Sequence, residues 1–311
     1  MRKSLVCTRR AWPVLLAVAV AGIPAVAADR IVVCEEFTRV NCSYCPTAGA
    51  ALDLMLTNFP NTFTSAAVQT SIYPTAWGNT RISFYGITGT PTAEFDGMIE
   101  CRGAYSTVSQ QYSWYLSAYN SSMAVPTDVV VGLQCFKVAA DRIRVKANVG
   151  IEATGVGKSM RVHFVLLLDH WPFGYTWTRD GVKNGQDMGV ITLNAGQNTT
   201  LTYDFTLDAD CLAHPNDVKV LVFAQDTLPY KPAQIYNGNF LHGPFGYRKG
   251  DLNCDGNVDF GDINPFVLAL TNAAGYAAQF PNCDIMNGDI DGNGFVDFGD
   301  INPFVRLLTN P

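Results

Sequence analysis

Charge is scarce in this 311-residue chain: 15% of residues are Asp, Glu, Lys or Arg, against 48% hydrophobic. A disordered chain needs the reverse balance, so this sequence has apolar surface enough for several packed cores. Bases are scarcer than acids, 21 against 27, and a formal charge of -6 argues against a protein that works by neutralising nucleic-acid phosphates. There are only four histidines (His163, His170, His214, His242), all in the middle of the chain. With no second ligand pair beside it, the Cys42-Ser43-Tyr44-Cys45 motif does not read as zinc-binding. Beyond the first 28 residues no apolar run reaches the ~18 residues of a membrane span. Also missing are a Gly-x-Ser-x-Gly elbow, a phosphate-binding glycine loop and a glycosidase carboxylate pair.

The N-terminus does carry a signal. Arg2, Lys3, Arg9 and Arg10 precede an apolar stretch, residues 11–26, broken by Pro13, Gly22 and Pro24 and ending in Ala25-Val26-Ala27. A basic flank, a short apolar run and small residues at its end are what signal peptidase reads, so residues 1–28 are expected to be an export signal. The mature chain is then extracellular, at the cell surface or periplasmic. Loss of Cys7 with the signal leaves eight cysteines in a compartment where disulfides persist.

Three segments follow. Residues 29–124 read as an α/β unit: a strand at 31–33, a helix at 42–57, strands at 66–70, 91–95 and 98–101 with an Asp96-Gly97 turn, and a closing helix at 108–119. Residues 125–247 hold short β-branched runs at 128–136, 142–151, 159–169, 188–193, 199–207 and 218–224, which suggests a β-sandwich of immunoglobulin type. Trp171, Phe173, Tyr175 and Trp177 lie in a loop expected to pack over the sandwich edge, with a sugar-stacking or protein-contact surface as the alternative, and His163 reads as a satisfied core residue. The fold class expected is thus multidomain: an α/β domain, a β-sandwich and a small α-helical tail, residues 248–311.

The tail is an internal duplication. Asp251-Leu-Asn-Cys-Asp-Gly-Asn-Val-Asp-Phe-Gly-Asp-Ile-Asn-Pro-Phe-Val recurs as Asp289-Ile-Asp-Gly-Asn-Gly-Phe-Val-Asp-Phe-Gly-Asp-Ile-Asn-Pro-Phe-Val, 38 residues later. Oxygen side chains fall at loop positions 1, 3, 5, 9 and 12: Asp251, Asn253, Asp255, Asp259 and Asp262, then Asp289, Asp291, Asn293, Asp297 and Asp300. Position 6 is Gly256 or Gly294, and the position-7 carbonyl belongs to Asn257 or Phe295. That is the oxygen spacing of an EF-hand calcium loop, and each copy is expected to hold one Ca2+ ion. Magnesium prefers a smaller octahedral shell and keeps its waters. Without a cation, carboxylates ~4 Å apart repel by about 4 kcal/mol even at an effective dielectric near 20. The tail is accordingly expected to fold only with calcium. From residue 250 onward, nine aspartates against one base, Arg306, put most of the chain's negative charge here.

A helix is expected after each loop, with apolar stripes Ile263, Phe266, Val267, Leu270 and Ile301, Phe304, Val305, Leu308. Loop and helix, linker, loop and helix, with no entering helix, resembles a type I dockerin. The resemblance implies calcium-dependent docking of residues 250–311 onto a cohesin-like domain, two usable orientations, and the company of polysaccharide-degrading assemblies. Positions 10 and 11, often small hydroxyl residues in dockerins, are Phe260-Gly261 and Phe298-Gly299 here. Cys254 and Cys283 are expected to form a staple.

Cys42-Ser43-Tyr44-Cys45 follows a strand and opens a helix, where the dipole and free N–H groups stabilise a thiolate. Cys42 would attack a disulfide and Cys45 resolve the mixed disulfide. Thr90-Pro91 stands before a strand about 45 residues on, and Glu36 stands six residues before Cys42. In that context the segment resembles a thioredoxin-like domain, which implies a cis-proline at Pro91 facing the motif and a buried carboxylate at Glu36 assisting proton transfer at Cys45. Glu35-Glu36-Phe37-Thr38, Cys42 to Pro46, Gly86 to Thr92 and Val222-Phe223-Ala224-Gln225-Asp226 together resemble the Omp28-related thioredoxin-like proteins over residues 30–240. Segment membership pairs Cys34 with Cys101 and Cys135 with Cys211, although sequence does not fix connectivity. Two functions stay open at this point: a thiol-disulfide oxidoreductase positioned by its tail, acting on protein thiols and disulfides, or a non-enzymatic surface scaffold whose Cys42–Cys45 bond is structural.

Overall fold

A computed structural model describes residues 28–281 and 283–309. The expected export signal, apart from its last residue, lies outside these.

The first strand, β1 (Val32–Thr38), is buried along its whole length, as its apolar run demands of a central strand. Helix α1 (Cys45–Asn58) carries the chain back so that β2 (Phe63–Gln69) pairs with β1 in parallel, from Val32 against Phe63 to Thr38 against Gln69. Helix α2 (Ala76–Tyr85) follows, capped by the Thr75 hydroxyl and ended by Gly86 in the left-handed region. It was not foreseen: its buried residues are Trp77, Gly78, Arg81 and Tyr85, so no apolar stripe marks it. Strand β3 (Thr92–Phe95) then lies antiparallel to β1, turns at Asp96-Gly97 into β4 (Ile99–Arg102), and α3 (Val108–Met123) closes the unit. Ala48, Ala51, Leu52 and Met55 of α1 pack with Tyr115 and Tyr119 of α3 over Val32, Phe63 and Phe95.

The next residues are mostly strand: β5 (Val129–Ala139), β6 (Arg142–Ile151), β7 (Lys158–Leu168), β8 (Gly181–Leu193), β9 (Asn198–Thr206), the short helix α4 (Ala209–Ala213), β10 (Val218–Gln225) and β11 (Ile235–His242). The last of these was not foreseen, because Ile-Tyr-Asn-Gly-Asn-Phe-Leu-His is too polar to read as a strand. The second segment continues the sheet of the first. One sheet runs through both, in the order β11-β10-β7-β8-β2-β1-β3-β4, and the division near residue 125 crosses it. The seam is narrow, a parallel pairing of Ala67 with Gly181 reinforced by the Ala67 N–H donating to the Asp180 carbonyl at 2.9 Å. Buried Asp180 also accepts from Ser65 Oγ at 2.8 Å and Lys219 Nζ at 2.7 Å, tying three strands' neighbourhoods together. A separate sheet, β5-β6-β9, lies over the β7 and β10 end, and Val131, Val145, Val149 and Phe205 share one core with Phe164 and Val220.

The tail contributes α5 (Ile263–Thr271), α6 (Ala273–Gln279) and α7 (Ile301–Thr309) around Leu252, Phe266, Tyr276 and Phe304; the Phe266 and Phe304 rings are 4.3 Å apart. The two expected apolar stripes are split. Phe266 and Phe304 face inward, whereas Ile263, Val267, Ile301 and Val305 are exposed. Helices of nine residues that cover so small a core can bury only one row of side chains. The tail sits on the body through Phe136, Val138 and Cys254, with the Arg248 guanidinium 5.4 Å over the Phe136 ring and Lys146 Nζ donating to the Gly256 carbonyl at 2.8 Å. Among the described residues no helix is long and apolar enough to cross a membrane.

Candidate functional site

Two clusters emerge, one at the end of β1 and one in the tail. In the first, Cys42 and Cys45 are bonded. Helix α1 begins at Cys45 and not at Cys42, because Pro46 has no N–H to give and fits only a first turn. Cys42 therefore lies on the turn ahead of the helix, where its Sγ receives the Cys45 N–H at 3.1 Å and lies 3.6 Å from the Thr90 carbonyl oxygen. The Thr90–Pro91 peptide is cis. Cys45 is fully buried and Cys42 nearly so, while Tyr44 between them is largely exposed.

Glu36 of β1 is 2% exposed, and its Oε1 has no hydrogen-bond partner. Burial raises its carboxyl from the usual 4.5 to about 8, so near neutral pH it can hold or release a proton. Its neighbour Glu35 points to the other face of the sheet and is held by Arg81 in a bidentate pair at 2.7 Å, with the Tyr85 hydroxyl donating at 2.6 Å. Arg81 also reaches Gln225 of β10 at 2.8 Å, and His163 of β7 accepts from Trp77 Nε1 at 3.2 Å. His163 is thus a satisfied core residue, as its apolar neighbours suggested. This network joins the first unit to the second beneath a cleft of about 620 Å³ lined by Arg81, His163 and Gln225. The pairs Glu35–Arg81 and Gln225–Arg81 lie far apart in sequence, and no local pattern marks them.

The expected pairings of Cys34 with Cys101 and Cys135 with Cys211 do not form; all four are free thiols. Cys34 lies opposite Phe95 on β3, whereas Cys101 on β4 lies opposite Ala93, so a whole strand and a two-residue offset separate them. A disulfide spans no more than about 7 Å between Cα atoms, and the next strand but one is already about 9–10 Å away. Burial holds the Cys34 thiol well above its ordinary range, with Glu36 adding to it, and burial pushes Cys101 up to about 12. Neither is a nucleophile at neutral pH.

In the tail, Cys254 and Cys283 are bonded as expected, with Cα atoms 5.6 Å apart. The two loops have the same internal wiring. The position-12 carboxylates of Asp262 and Asp300 each accept two N–H groups from the loop start (Leu252 and Asn253, then Ile290 and Asp291) and one from position 9. Gly256 and Gly294 turn the chain at φ +87° and +91°, where a side chain would be strained. In the second loop, carboxylate oxygens of Asp289, Asp291 and Asp300 lie within 4.8 Å of one another. In the first, Asp251 is fully buried and its Oδ1 has no partner. Asn253, Asp255 and Asp259 ring the first loop, and Asn293 and Asp297 the second, on partly or wholly exposed turns. A buried carboxylate oxygen with nothing to bond, among further carboxylates, fits a hard cation that this donor set would hold. Asn257 and Phe295 are exposed at position 7.

Comparison with known proteins gives a fold. No protein-family model matches the chain, and no curated protein matches it. Among solved structures it is similar to HBP35 of Porphyromonas gingivalis, with 17% identity over 71% of this chain and 77% of that one and a TM-score of 0.57. It also matches a protein of Agrobacterium tumefaciens (19% identity, 70% and 95% covered, TM-score 0.47) and a domain of the outer membrane lipoprotein Omp28 of P. gingivalis (12%, 39% and 98%, TM-score 0.27). The likeness to HBP35 shows a shared fold over most of the chain, and with the Cys42–Cys45 bond it fits a thioredoxin-like domain.

Proposed function

We propose that this is an exported protein whose dockerin-like tail binds two calcium ions, docks onto a cohesin-like domain, and so positions a thioredoxin-like domain that exchanges thiols and disulfides. The observation that carries the reading is the unpartnered, buried Asp251 Oδ1 in a loop whose backbone wiring recurs 38 residues later around Asp289, Asp291 and Asp300.

Asp251, Asn253, Asp255, Asp259 and Asp262 with the Asn257 carbonyl would hold one ion, and Asp289, Asp291, Asn293, Asp297 and Asp300 with the Phe295 carbonyl the other. Calcium supplies the positive charge that lets these carboxylates converge. The chain's own contribution is the glycine turn at position 6 and the backbone N–H groups that fix the position-12 carboxylate. Loops so held orient six exposed apolar side chains at repeat-equivalent positions: Phe260, Ile263 and Val267, then Phe298, Ile301 and Val305. Twin apolar plates of this kind suit a flat protein partner. Capture of the full chain by an immobilised cohesin domain, reversed by chelator, tests the docking; capture that ignores chelator, or none by any cohesin, sinks it.

In the reduced protein, the Cys45 N–H and the α1 dipole favour the Cys42 thiolate. It attacks a substrate disulfide, releasing one substrate thiolate and forming a mixed disulfide. Cys45, its proton taken by Glu36, then attacks Cys42 Sγ, releasing the second substrate thiolate and closing the Cys42–Cys45 bond. Two electrons pass from the protein dithiol to the substrate. Insulin reduction by the wild-type chain and not by Cys42→Ser is the expected result; equal activity would leave a scaffold whose bond is structural.

A further inference from the structure

Thirty-eight residues apart, Lys249 and Asn287 occupy the same place in the two repeats, each two residues before a loop begins. They brace the loops crosswise. Asn287 Nδ2 donates to the main-chain oxygen of Asp251 at 2.6 Å, and Lys249 Nζ donates to the main-chain oxygen of Asp289. Beyond this the symmetry fails. Lys249 also forms an ion pair with Asp289 Oδ2 at 3.0 Å, whereas Asn287 makes no such contact with the Asp251 side chain, whose Oδ1 is left without a partner.

The position-1 carboxylate is a direct ligand in a loop of this type. In the first loop Asp251 Oδ2 accepts the Gly256 N–H at 3.0 Å and Oδ1 is open to an ion, while Lys146 reaches that loop only at the Gly256 carbonyl and the Asn257 side chain; in the second an ammonium of the same charge sign as calcium already sits on the position-1 carboxylate itself. The Lys249 side chain is 40% exposed, so it can swing into water and leave only a partly screened pair behind. The brace itself also means that movement of one loop's first residue is felt at the other, the condition for coupled binding.

We propose that Lys249 sets the calcium affinity of the second loop, occupying Asp289 until calcium displaces it, so that the two sites are unequal and the first fills first. This rests on the calcium reading above. Calorimetric titration of the chelator-stripped full chain with calcium tests it. Wild type should give two steps, with Asp251→Asn removing the tighter and Asp289→Asn the weaker. Lys249→Asn, which installs the residue found in the other repeat, and Lys249→Met should each tighten the weaker step about fivefold to tenfold, while Lys249→Arg should not. Near-UV circular dichroism in saturating calcium checks that each variant is folded. An unchanged weaker step in both neutral variants, or loss of the tighter step in Asp289→Asn, overturns this assignment alone. Absence of calcium heat from the wild-type chain overturns the calcium reading itself.

Discussion

Glu36 keeps a carboxyl where water does not reach it, and that placement has a cost that depends on pH. Its affinity for a proton is raised from the usual 4.5 to about 8 by burial. The folded state therefore favours the protonated form, and stability falls as pH rises through the window from 4.5 to 8, then levels off. Glu36→Gln should flatten this slope, leaving the part that buried Glu94 and Asp96 contribute, and make the protein more stable above pH 8 by at most about 5 kcal/mol. Urea midpoints at pH 5 and pH 9 check this; parallel changes in both proteins would contradict it. On the proposed role of Glu36 as acceptor of the Cys45 proton, the same substitution should also slow insulin reduction at neutral pH. The Cys42–Cys45 bond, the cis Thr90–Pro91 peptide and the burial of Glu36 follow motifs whose spacing is local. That Cys34 and Cys101 stay apart was not legible, because it depends on which strands are neighbours, and β3 lies between them.

At the scale of elements, α1 owes its seat to a loop from far along the chain. A methyl group at Gly49, one turn after Cys45, would lie 2.2 Å from the main-chain oxygen of Trp177, and Arg179 of the same loop pairs with Asp53 of α1. The aromatic loop thus packs against the helix that opens with Cys45, and Trp171 meets Tyr73, just after β2, at 5.3 Å. Gly49→Ala should push loop and helix apart at a cost of about 1–3 kcal/mol. A thermal melt registers it, and an unchanged midpoint would show that the loop yields freely. Elements with a strong period or β-branched runs were legible: α1, α3, β6, β7 and β10. Helix α2 and strand β11 were not, because α2 buries Arg81 against Glu35 and β11 buries Asn237, polar residues that look like surface until their partners are known.

The whole molecule departs from the beads-on-a-string order that composition suggests. Two segments of different local pattern share one eight-stranded sheet, joined where Ala67 meets Gly181 and where Arg81 reaches Gln225. Unfolding of the first two segments should be a single transition; two separate transitions in calorimetry would mean that the seam carries little. The tail is a distinct core on its own, seated on β5 and β6, and its stability should depend on calcium in a way the sheet's does not. Each ion held at about 100 times its dissociation constant adds about 2.7 kcal/mol. The duplication was legible because repetition needs no knowledge of the fold, whereas the continuous sheet is set by contacts between residues more than 100 positions apart. The central claim, that the tail is a pair of calcium sites, is tested most directly by metal analysis of the full chain after dialysis against micromolar calcium. Two ions per chain in the wild type, and one in each of Asp251→Asn and Asp289→Asn, is the result predicted; a wild-type chain that retains none contradicts the account.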